Sequence, residues 1–213
     1  KVLILESEQV YRNPVICQQK EQKEIIYTEE QRTAIQTFSR DYEQGLRKTY
    51  LLYGVTGSGK TEVYMEMIAK VLSEGRQAIV LIPEIALTYQ TVMRFYTRFG
   101  ERVSILNSRM SQGERYDQME RVKKGEVDIM IGPRSALFTP FEKLGLIVID
   151  EEHEPTYKSE QVPRFHARET AIERARMEGA SVVLGSATPS LEAFYACECG
   201  RYQMLRLKMR TGK

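Results

Sequence analysis

Three carboxylates and a histidine follow directly on an apolar run in the segment LGLIVIDEEHEP, residues 144–155. Asp150, Glu151 and Glu152 are consecutive carboxylates, and His153 comes next. Adjacent negative charges repel one another, so such a cluster must be hydrated, paired with basic groups or bound to a cation. The sequence therefore predicts a partner or a cation for these acids.

A glycine-rich segment upstream, GVTGSGKT, has the residue types that bind phosphate. It lies between a predicted strand at 50–53 and a predicted helix at 60–73, with the spacing of a P-loop. In such a loop the backbone N–H groups surround a phosphate at the N-terminus of a helix. We expect nucleotide contacts from the loop residues Gly54, Val55, Thr56, Gly57, Ser58, Gly59, Lys60 and Thr61.

Lys60 and Thr61 have separate expected roles, because a P-loop lysine reaches the outer phosphates and the following hydroxyl binds Mg²⁺. A P-loop enzyme also needs a carboxylate near the metal and a group that activates or orients water. Asp150, the first residue after the apolar run, fits the metal role. Glu151 fits the water-activating role. Mg²⁺ would then offset the crowding of the acids.

Two residues of the acidic cluster have open interpretations. Glu152 and His153 either contact the downstream segment GSATPS, residues 185–190, or lie in a solvated loop. Gln31 has an explanation that needs no ligand, because Thr28 followed by Gln31 fits a capping box at the start of a helix.

Strands and helices alternate along most of the chain. Apolar segments rich in β-branched residues predict strands at 50–53, 78–82, 103–106, 127–131, 146–149 and 181–185. Apolar spacing predicts helices at 60–73, 86–99, 111–124 and 167–178, in addition to one that begins near Thr28. This alternation predicts an α/β fold with a mostly parallel sheet and helices on both faces. Ligands of such sheets bind at the carboxyl ends of strands, where the motifs above lie.

Composition limits the remaining possibilities. The 213 residues, 42% of them hydrophobic, suffice for one domain, which we place at 27–213, with 1–26 a linker or the remnant of an upstream domain. The 31 basic and 29 acidic residues nearly cancel, so overall charge predicts neither nucleic-acid nor membrane binding. The basic stretch from residue 201 onward fits a solvated tail, a linker or a phosphate-contacting strand.

Cysteine content and hydropathy indicate the compartment. Three cysteines are too few and too unevenly spaced for a disulfide framework, which favours a reducing environment. No apolar run approaches the roughly 20 residues that span a bilayer, and no signal-peptide pattern is present. We therefore expect a cytoplasmic, soluble protein with no membrane partner.

The motifs together resemble one family of helicases. An Asp-Glu-Glu-His box between a P-loop and GSATPS is similar to helicase superfamily 2. The stretches GVTGSGKTEVY, PEIALT, GPRSALFTPF and VIDEEHEPTYKSEQVPRFHARE sharpen the resemblance to the PriA family of replication-restart DNA helicases, over residues 28–210. The resemblance implies a RecA-like first lobe that uses ATP and Mg²⁺. It places zinc only in an insertion of the second lobe.

That resemblance also implies a function and partners. The family consists of 3′-to-5′ DNA helicases that act on stalled replication forks and initiate primosome assembly. Single-stranded and forked DNA, primosome proteins and single-strand-binding proteins are then the expected partners. Because the second lobe should supply an arginine finger, we expect the isolated lobe to be weakly active or inactive. The alternatives are another superfamily 2 motor acting on RNA or duplex DNA, and a P-loop module that binds without hydrolysis.

The resemblance further suggests where DNA and nucleotide contacts lie. The turns PEIALT and GPRSA would line the path of the strand, with Thr88, Arg134 and Ser135 contacting phosphates; the alternative for Arg134 is a surface ion pair with an acid. Gln31 resembles a residue that reads adenine.

The loop at 154–166 resembles an aromatic-rich coupling loop of the family. Its candidate DNA-binding and coupling residues are Tyr157, Lys158, Arg164 and Phe165. The aromatic rings either stack on bases or pin the loop to the core. Ser186 and Thr188 would link Glu152 or His153 to the nucleotide state.

Overall fold

Seven parallel strands form one sheet in the computed structural model, which describes residues 26–160 and 162–210. The strands are β1 (Thr49–Gly54), β2 (Gln77–Leu81), β3 (Val103–Ile105), β4 (Ile129–Gly132), β5 (Leu144–Ile149), β6 (Ser181–Ser186) and β7 (Gln203–Leu207). The helices are α1 (Glu29–Glu43), α2 (Lys60–Ser73), α3 (Tyr89–Phe99), α4 (Gln112–Lys123), α5 (Ala167–Glu178) and α6 (Leu191–Glu198). The strand order is β3-β4-β2-β5-β6-β1-β7.

Successive residues of the central strands face opposite sides of the sheet, and both sides are buried. Leu52, Val80 and Val148 belong to one apolar cluster, which side chains of α1, α2 and α3 complete. Their neighbours Leu51 and Ile147 belong to a second cluster on the other face, with side chains of α4, α5 and α6. The predicted α/β fold with helices on both faces is therefore confirmed.

The predicted elements agree closely with the observed ones where a cap or a glycine marks the boundary. Helices α2 and α5 have the predicted bounds, and all six predicted strands are present. Helix α3 begins at Tyr89 rather than at residue 86, because Thr88 caps it and the preceding residues form turns.

The basic C-terminal stretch contains a strand. Residues Gln203–Leu207 form β7, which pairs in parallel with β1 and extends the sheet by one edge strand. A strand is therefore observed in this stretch, and its contact with phosphate stays a prediction.

Residues 1–25 lie outside the described part of the chain, so the interpretation of 1–26 as a linker or remnant stays a prediction. Among the described residues, no helix has the length and apolar character needed to cross a membrane.

Candidate nucleotide-binding site

The glycine-rich loop joins the carboxyl end of β1 to the start of α2. Gly57 and Gly59 have φ angles of 80° and 78°, in the left-handed region that glycine adopts at little cost. A Cβ atom on Gly54 would lie 2.5 Å from Ser58 Oγ, so the loop closes tightly on itself. These glycines explain why the chain can turn sharply here and present backbone to a ligand.

The N-terminus of α2 lacks a side-chain cap. Each of the other five α-helices of the described residues has a capping side chain that accepts a backbone N–H, whereas Gly59 offers none. Ser58 Oγ is also buried without a hydrogen-bond partner. Buried polar groups are normally satisfied, and a helix N-terminus attracts anions. The loop therefore fits a phosphate group.

A cavity of about 470 Å³ opens over this loop. Its wall is formed by Ile26, Gln31, Thr56, Gly57, Ser58, Gly59, Lys60, Thr61, Glu62, Arg94, Asp150 and Glu151. The volume is in the range of small-molecule sites. The cavity thus brings together residues 56–61 of the predicted loop, the predicted metal ligand Asp150, and Gln31. Gly54 and Val55 of the loop do not line it.

The backbone of the acidic cluster is fixed to the strands on either side of β5. The N–H of Asp150 donates to the carbonyl of Leu81 at the end of β2, at 2.9 Å. The N–H of Glu152 donates to the carbonyl of Gly185 in β6, at 3.0 Å. Glu151 lies between these two anchors with a φ of 47°, a conformation rare for a residue with a side chain.

The two predicted catalytic acids face helix α2. Lys60 Nζ donates to the carbonyl of Gly54 at 3.0 Å and lies 3.6 Å from Glu151 Oε1. Asp150 Oδ1 accepts a hydrogen bond of 3.0 Å from the Tyr64 hydroxyl. Burial, and then the neighbouring Glu151 carboxylate, raise the pKa of Asp150. A divalent cation would supply the positive charge that favours the ionised carboxylate.

Glu152 and His153 both contact the GSATPS segment, which settles the choice left open by the sequence. Glu152 is buried, and its carboxylate accepts hydrogen bonds from Arg168 Nη1 at 3.0 Å and from the Ser190 N–H at 2.7 Å. His153 Nδ1 lies 2.8 Å from Ser186 Oγ, and Nε2 lies 3.3 Å from Thr188 Oγ1. The acidic box and this segment are therefore one hydrogen-bonded unit.

Gln31 completes the capping box predicted from the sequence. Its Oε1 accepts from the Thr28 N–H at 2.9 Å, and the Gln31 N–H donates to Thr28 Oγ1 at 3.2 Å. Its Nε2 donates to the Ser58 carbonyl at 2.9 Å, which ties α1 to the glycine-rich loop. Contact of Gln31 with adenine stays a prediction.

Two of the three candidate DNA-contacting residues in the turns are exposed. Thr88 caps α3 and is exposed, and Ser135 is also exposed. Arg134 is half-buried, and its Nη1 donates to the carbonyls of Thr156 and Lys158 at 2.8 and 2.7 Å. The alternative interpretation was an ion pair with an acid. Arg134 instead pairs with main-chain carbonyls of the 154–166 loop.

The aromatic side chains of that loop pack inward. Tyr157 is 1% exposed, and its hydroxyl donates to the carbonyls of Asp150 at 2.7 Å and of Leu81 at 3.1 Å. Of the two alternatives for Tyr157, the structure shows packing against the core, because the ring has no face open to a base. Phe165 is half-buried edge-on against Phe138, with ring centroids 5.2 Å apart.

The two basic candidates of the loop are open to solvent. Lys158 and Arg164 are both exposed, and they line a shallow hollow with Phe165 and His166. Basic side chains at such a position suit phosphate contacts. Their DNA role stays a prediction.

The sequence assigns no role to several residues of the site, although Tyr64 and Arg168 lie within the motif stretches. Arg94 reaches the cavity from α3 and pairs with Glu62, and Arg168 reaches Glu152 from α5. These contacts join distant segments, so no local spacing identifies them. Tyr64 is different, because it follows Lys60 by four residues and helical periodicity alone places the two on one face.

Three neighbouring strands carry the whole site. β1 ends in the glycine-rich loop, β6 ends in GSATPS and β5 ends in the acidic box, and β6 lies between the other two. A parallel sheet with a P-loop and an Asp-Glu pair at the carboxyl ends of its strands defines a P-loop nucleoside triphosphatase lobe. The chain belongs to the DEAD/DEAH box helicase family, whose model matches residues 28–195.

Within this family, the chain is similar in sequence to one group of curated proteins. The chain is 49% identical over 213 residues to the replication restart protein PriA of Bacillus subtilis, covering 99% of this chain and 26% of that protein. It is 42% identical over 208 residues to PriA of Haemophilus influenzae, covering 95% of this chain and 28% of that protein. The chain therefore spans about a quarter of the length of these relatives. The resemblance to PriA is confirmed.

Solved structures confirm the fold. The structure of RecG bound to a three-way DNA junction matches with a TM-score of 0.67 at 23% identity, covering 90% of this chain and 25% of that one. The helicase domain of Hef from Pyrococcus furiosus matches with a TM-score of 0.60 at 16% identity, covering 85% of this chain and 38% of that one. The RecA-like arrangement is thus shared with helicases of low sequence identity.

Proposed function

We propose that this chain is the nucleotide-binding motor lobe of a 3′-to-5′ DNA helicase that remodels stalled forks and initiates primosome assembly. The observation that carries the proposal is the uncapped N-terminus of α2, where Lys60 lies 3.6 Å from Glu151. An uncapped helix N-terminus suits a phosphate group, and this one lies beside acids of the kind that hydrolysis needs. The names of the PriA relatives support replication restart as the process. We place the protein in the cytoplasm.

The residues divide the work of ATP hydrolysis among them. Lys60 and the backbone of the loop bind the phosphates. Thr61 and Asp150 would hold Mg²⁺, which would neutralise charge on the phosphates. Glu151 accepts a proton from the attacking water or orients it. Gln31 contacts the base, from the position where it already joins α1 to the loop.

The DNA strand crosses the exposed turns after β2 and β4. Thr88 and Ser135 are exposed there and offer hydroxyl groups to phosphates, which suits a motor that ignores sequence. Lys158 and Arg164 add exposed positive charge at the nearby loop. Forked DNA, primosome proteins and single-strand-binding proteins are the partners that we propose for the longer protein.

Coupling between DNA and nucleotide runs through the 154–166 loop. Arg134 holds the carbonyls on both sides of Tyr157, and the Tyr157 hydroxyl holds the carbonyl of Asp150. A phosphate that draws Arg134 away would loosen the loop, and the loosening would reach Asp150 through Tyr157. On the other side, His153 connects the acidic box to Ser186 and Thr188.

Hydrolysis and binding measured together test this function. ATP turnover by the chain is followed with and without a mixed-sequence single-stranded oligonucleotide, beside a titration with a fluorescent nucleotide. We expect Mg²⁺-dependent nucleotide binding with weak or no turnover, because the resemblance assigns the arginine finger to a second lobe. No nucleotide binding would contradict the proposal. DNA-stimulated turnover would mean that this lobe, or a dimer of it, already assembles a working site.

The class of nucleic acid is tested by fluorescence anisotropy. Labelled single-stranded DNA, duplex DNA and RNA of equal length are titrated with the chain at one salt concentration, since phosphate contacts depend strongly on salt. We expect single-stranded DNA to bind most tightly. Preference for RNA or for duplex DNA would favour another kind of superfamily 2 motor.

A further inference from the structure

Tyr64 connects helix α2 to the acidic box at a position that no motif role covers. It follows Lys60 by one helical turn, so both side chains project from the same face of α2. Lys60 approaches Glu151 at 3.6 Å, and the Tyr64 hydroxyl donates to Asp150 Oδ1 at 3.0 Å. Two successive turns of one helix thus meet two successive acids.

The hydroxyl of Tyr64 occupies space that strand β6 leaves open for it. A Cβ atom on Gly185 would lie 1.4 Å from the Tyr64 hydroxyl oxygen, which no side chain at that position could tolerate without moving the tyrosine. Tyr64 itself is 1% exposed. The position of the hydroxyl is therefore fixed by close packing against main chain, in addition to its hydrogen bond.

A second tyrosine holds the other end of Asp150. The Tyr157 hydroxyl donates to the main-chain carbonyl of Asp150 at 2.7 Å, whereas Tyr64 donates to its carboxylate. Backbone and side chain of Asp150 are thus both held from neighbouring elements.

We propose that Tyr64 is a positioning residue for the divalent cation: its hydroxyl fixes the carboxylate of Asp150 through Oδ1 and leaves Oδ2 to face the metal. This inference rests on the proposed function, in which Asp150 serves Mg²⁺. Groups that hydrogen-bond to a metal-ligating side chain fix its orientation and tune the affinity for the metal. Gly185 contributes to the same arrangement, because the absence of a side chain there leaves room for the Tyr64 hydroxyl.

Tyr64→Phe tests the inference, because it removes the hydroxyl and keeps the buried ring. Binding of a fluorescent ADP analogue carrying a methylanthraniloyl group is titrated over a range of Mg²⁺ concentrations and again in excess chelator. We expect the half-saturating Mg²⁺ concentration to rise about tenfold or more, with nucleotide affinity in chelator unchanged. An unchanged or lower half-saturating Mg²⁺ concentration would overturn the positioning role.

Tyr50→Phe is the matched control for the loss of a buried hydroxyl. Tyr50 is fully buried in β1, and its hydroxyl donates to Asp41 Oδ2 at 3.0 Å, away from the acidic box. It should lower the melting temperature as Tyr64→Phe does, yet leave the Mg²⁺ dependence unchanged. An equal change in Mg²⁺ dependence for both variants would show a general effect of destabilisation and overturn the inference.

Two further variants separate this inference from the proposed function. If Lys60→Ala binds nucleotide as the unmodified chain does, the proposed function itself fails. If Lys60→Ala loses nucleotide binding while Tyr64→Phe has the same half-saturating Mg²⁺ concentration as the unmodified chain, the positioning role alone fails. Gly185→Ala, which forces Tyr64 to move, should reproduce the Mg²⁺ shift of Tyr64→Phe, and normal Mg²⁺ dependence in a folded Gly185→Ala chain would count against the role.

Discussion

Glu151 adopts a left-handed backbone conformation, with a φ of 47°, that costs of order 1–3 kcal/mol for a residue with a side chain. Its neighbours explain why the fold maintains it, because Asp150 is bonded to β2 and Glu152 to β6. The turn between them sends three consecutive carboxylates to three different partners. Asp150 meets Tyr64, Glu151 meets Lys60, and Glu152 meets Arg168. Glu151 and Glu152 thus gain basic partners, whereas the Asp150 carboxylate meets the neutral Tyr64 hydroxyl and is the acid that a cation would compensate.

Glu151→Gln should separate binding from hydrolysis. The amide keeps the size of the side chain and loses its basicity, so Mg²⁺-nucleotide affinity should stay within about twofold. Any ATP turnover should fall by about 100-fold or more, as general bases contribute 10²- to 10⁴-fold. Phosphate release is measured in the presence of single-stranded DNA, in a protein that includes the second lobe. Turnover at the unmodified rate would place the base elsewhere.

The sequence predicts the residues of the site better than it predicts their contacts. Lys60, Thr61, Asp150 and Glu151 line one cavity because their motifs occupy the ends of neighbouring strands. The sequence left open whether Tyr157 packs inward or stacks on a base, because an aromatic ring in an irregular loop has no period that shows which way it faces. Its direction depends on carbonyls contributed by β2 and by the acidic box.

Helix α5 is joined to the acidic box by a buried ion pair. Arg168, at the second position of α5, lies 3.0 Å from Glu152 Oε2, and both side chains are buried. Arg168→Met should destabilise the chain by about 3 to 5 kcal/mol, because it leaves Glu152 as a buried, uncompensated charge. A fall in melting temperature of about 10 °C is expected in thermal unfolding.

Arg176→Ala, on the same helix, is the control for that variant. Arg176 pairs with Glu173 at the surface, at 2.6 Å, with both side chains largely exposed. Exposed pairs add little to stability, so its melting temperature should match that of the unmodified chain. Equal effects of the two arginine variants would contradict the role given to the buried pair.

The 154–166 loop depends on Arg134 for its closed arrangement. Arg134→Ala removes two hydrogen bonds to loop carbonyls, so local opening should become easier. Amide hydrogen exchange at Tyr157 and Lys158 should accelerate about tenfold or more, since each hydrogen bond contributes about 0.5–1.5 kcal/mol. Arg164→Ala, an exposed position of the same loop, should leave the exchange rates unchanged. Unaltered exchange rates in Arg134→Ala would contradict the proposal that Arg134 couples DNA to the nucleotide site through this loop.

Strongly patterned elements were predictable, and short ones at the end of the chain were not. Helix α2 has a full apolar stripe and is followed by Gly75. Helix α5 turns mainly alanines inward, and its bounds are marked by the proline-containing loop before it and by Gly179 after it. Helix α6 has only eight residues, and its Leu191 and Tyr195 are exposed, so its sequence lacks an amphipathic signal. Strand β7 mixes basic and apolar residues because it is an edge strand, with one side exposed to solvent.

At the scale of the whole molecule, the described residues form one RecA-like lobe. The candidate site is open to solvent at the carboxyl ends of the strands. The chain spans about a quarter of the length of its PriA relatives. Parallel α/β sheets bind ligands at the carboxyl ends of their strands, and both the nucleotide cavity and the exposed turns after β2 and β4 lie there. The nucleotide and DNA contacts that we propose would therefore share this end of the sheet.

The most direct test of this account is calorimetric titration of the chain with a non-hydrolysable ATP analogue and Mg²⁺, beside Lys60→Ala. We predict saturable binding at one site per chain in the unmodified protein, and no detectable binding in the variant, which should still unfold cooperatively. The same ligand should raise the melting temperature of the unmodified chain alone, because only the folded state binds it. Unchanged binding in Lys60→Ala, or no binding to the unmodified chain, would contradict the assignment of the phosphate site and with it the motor function.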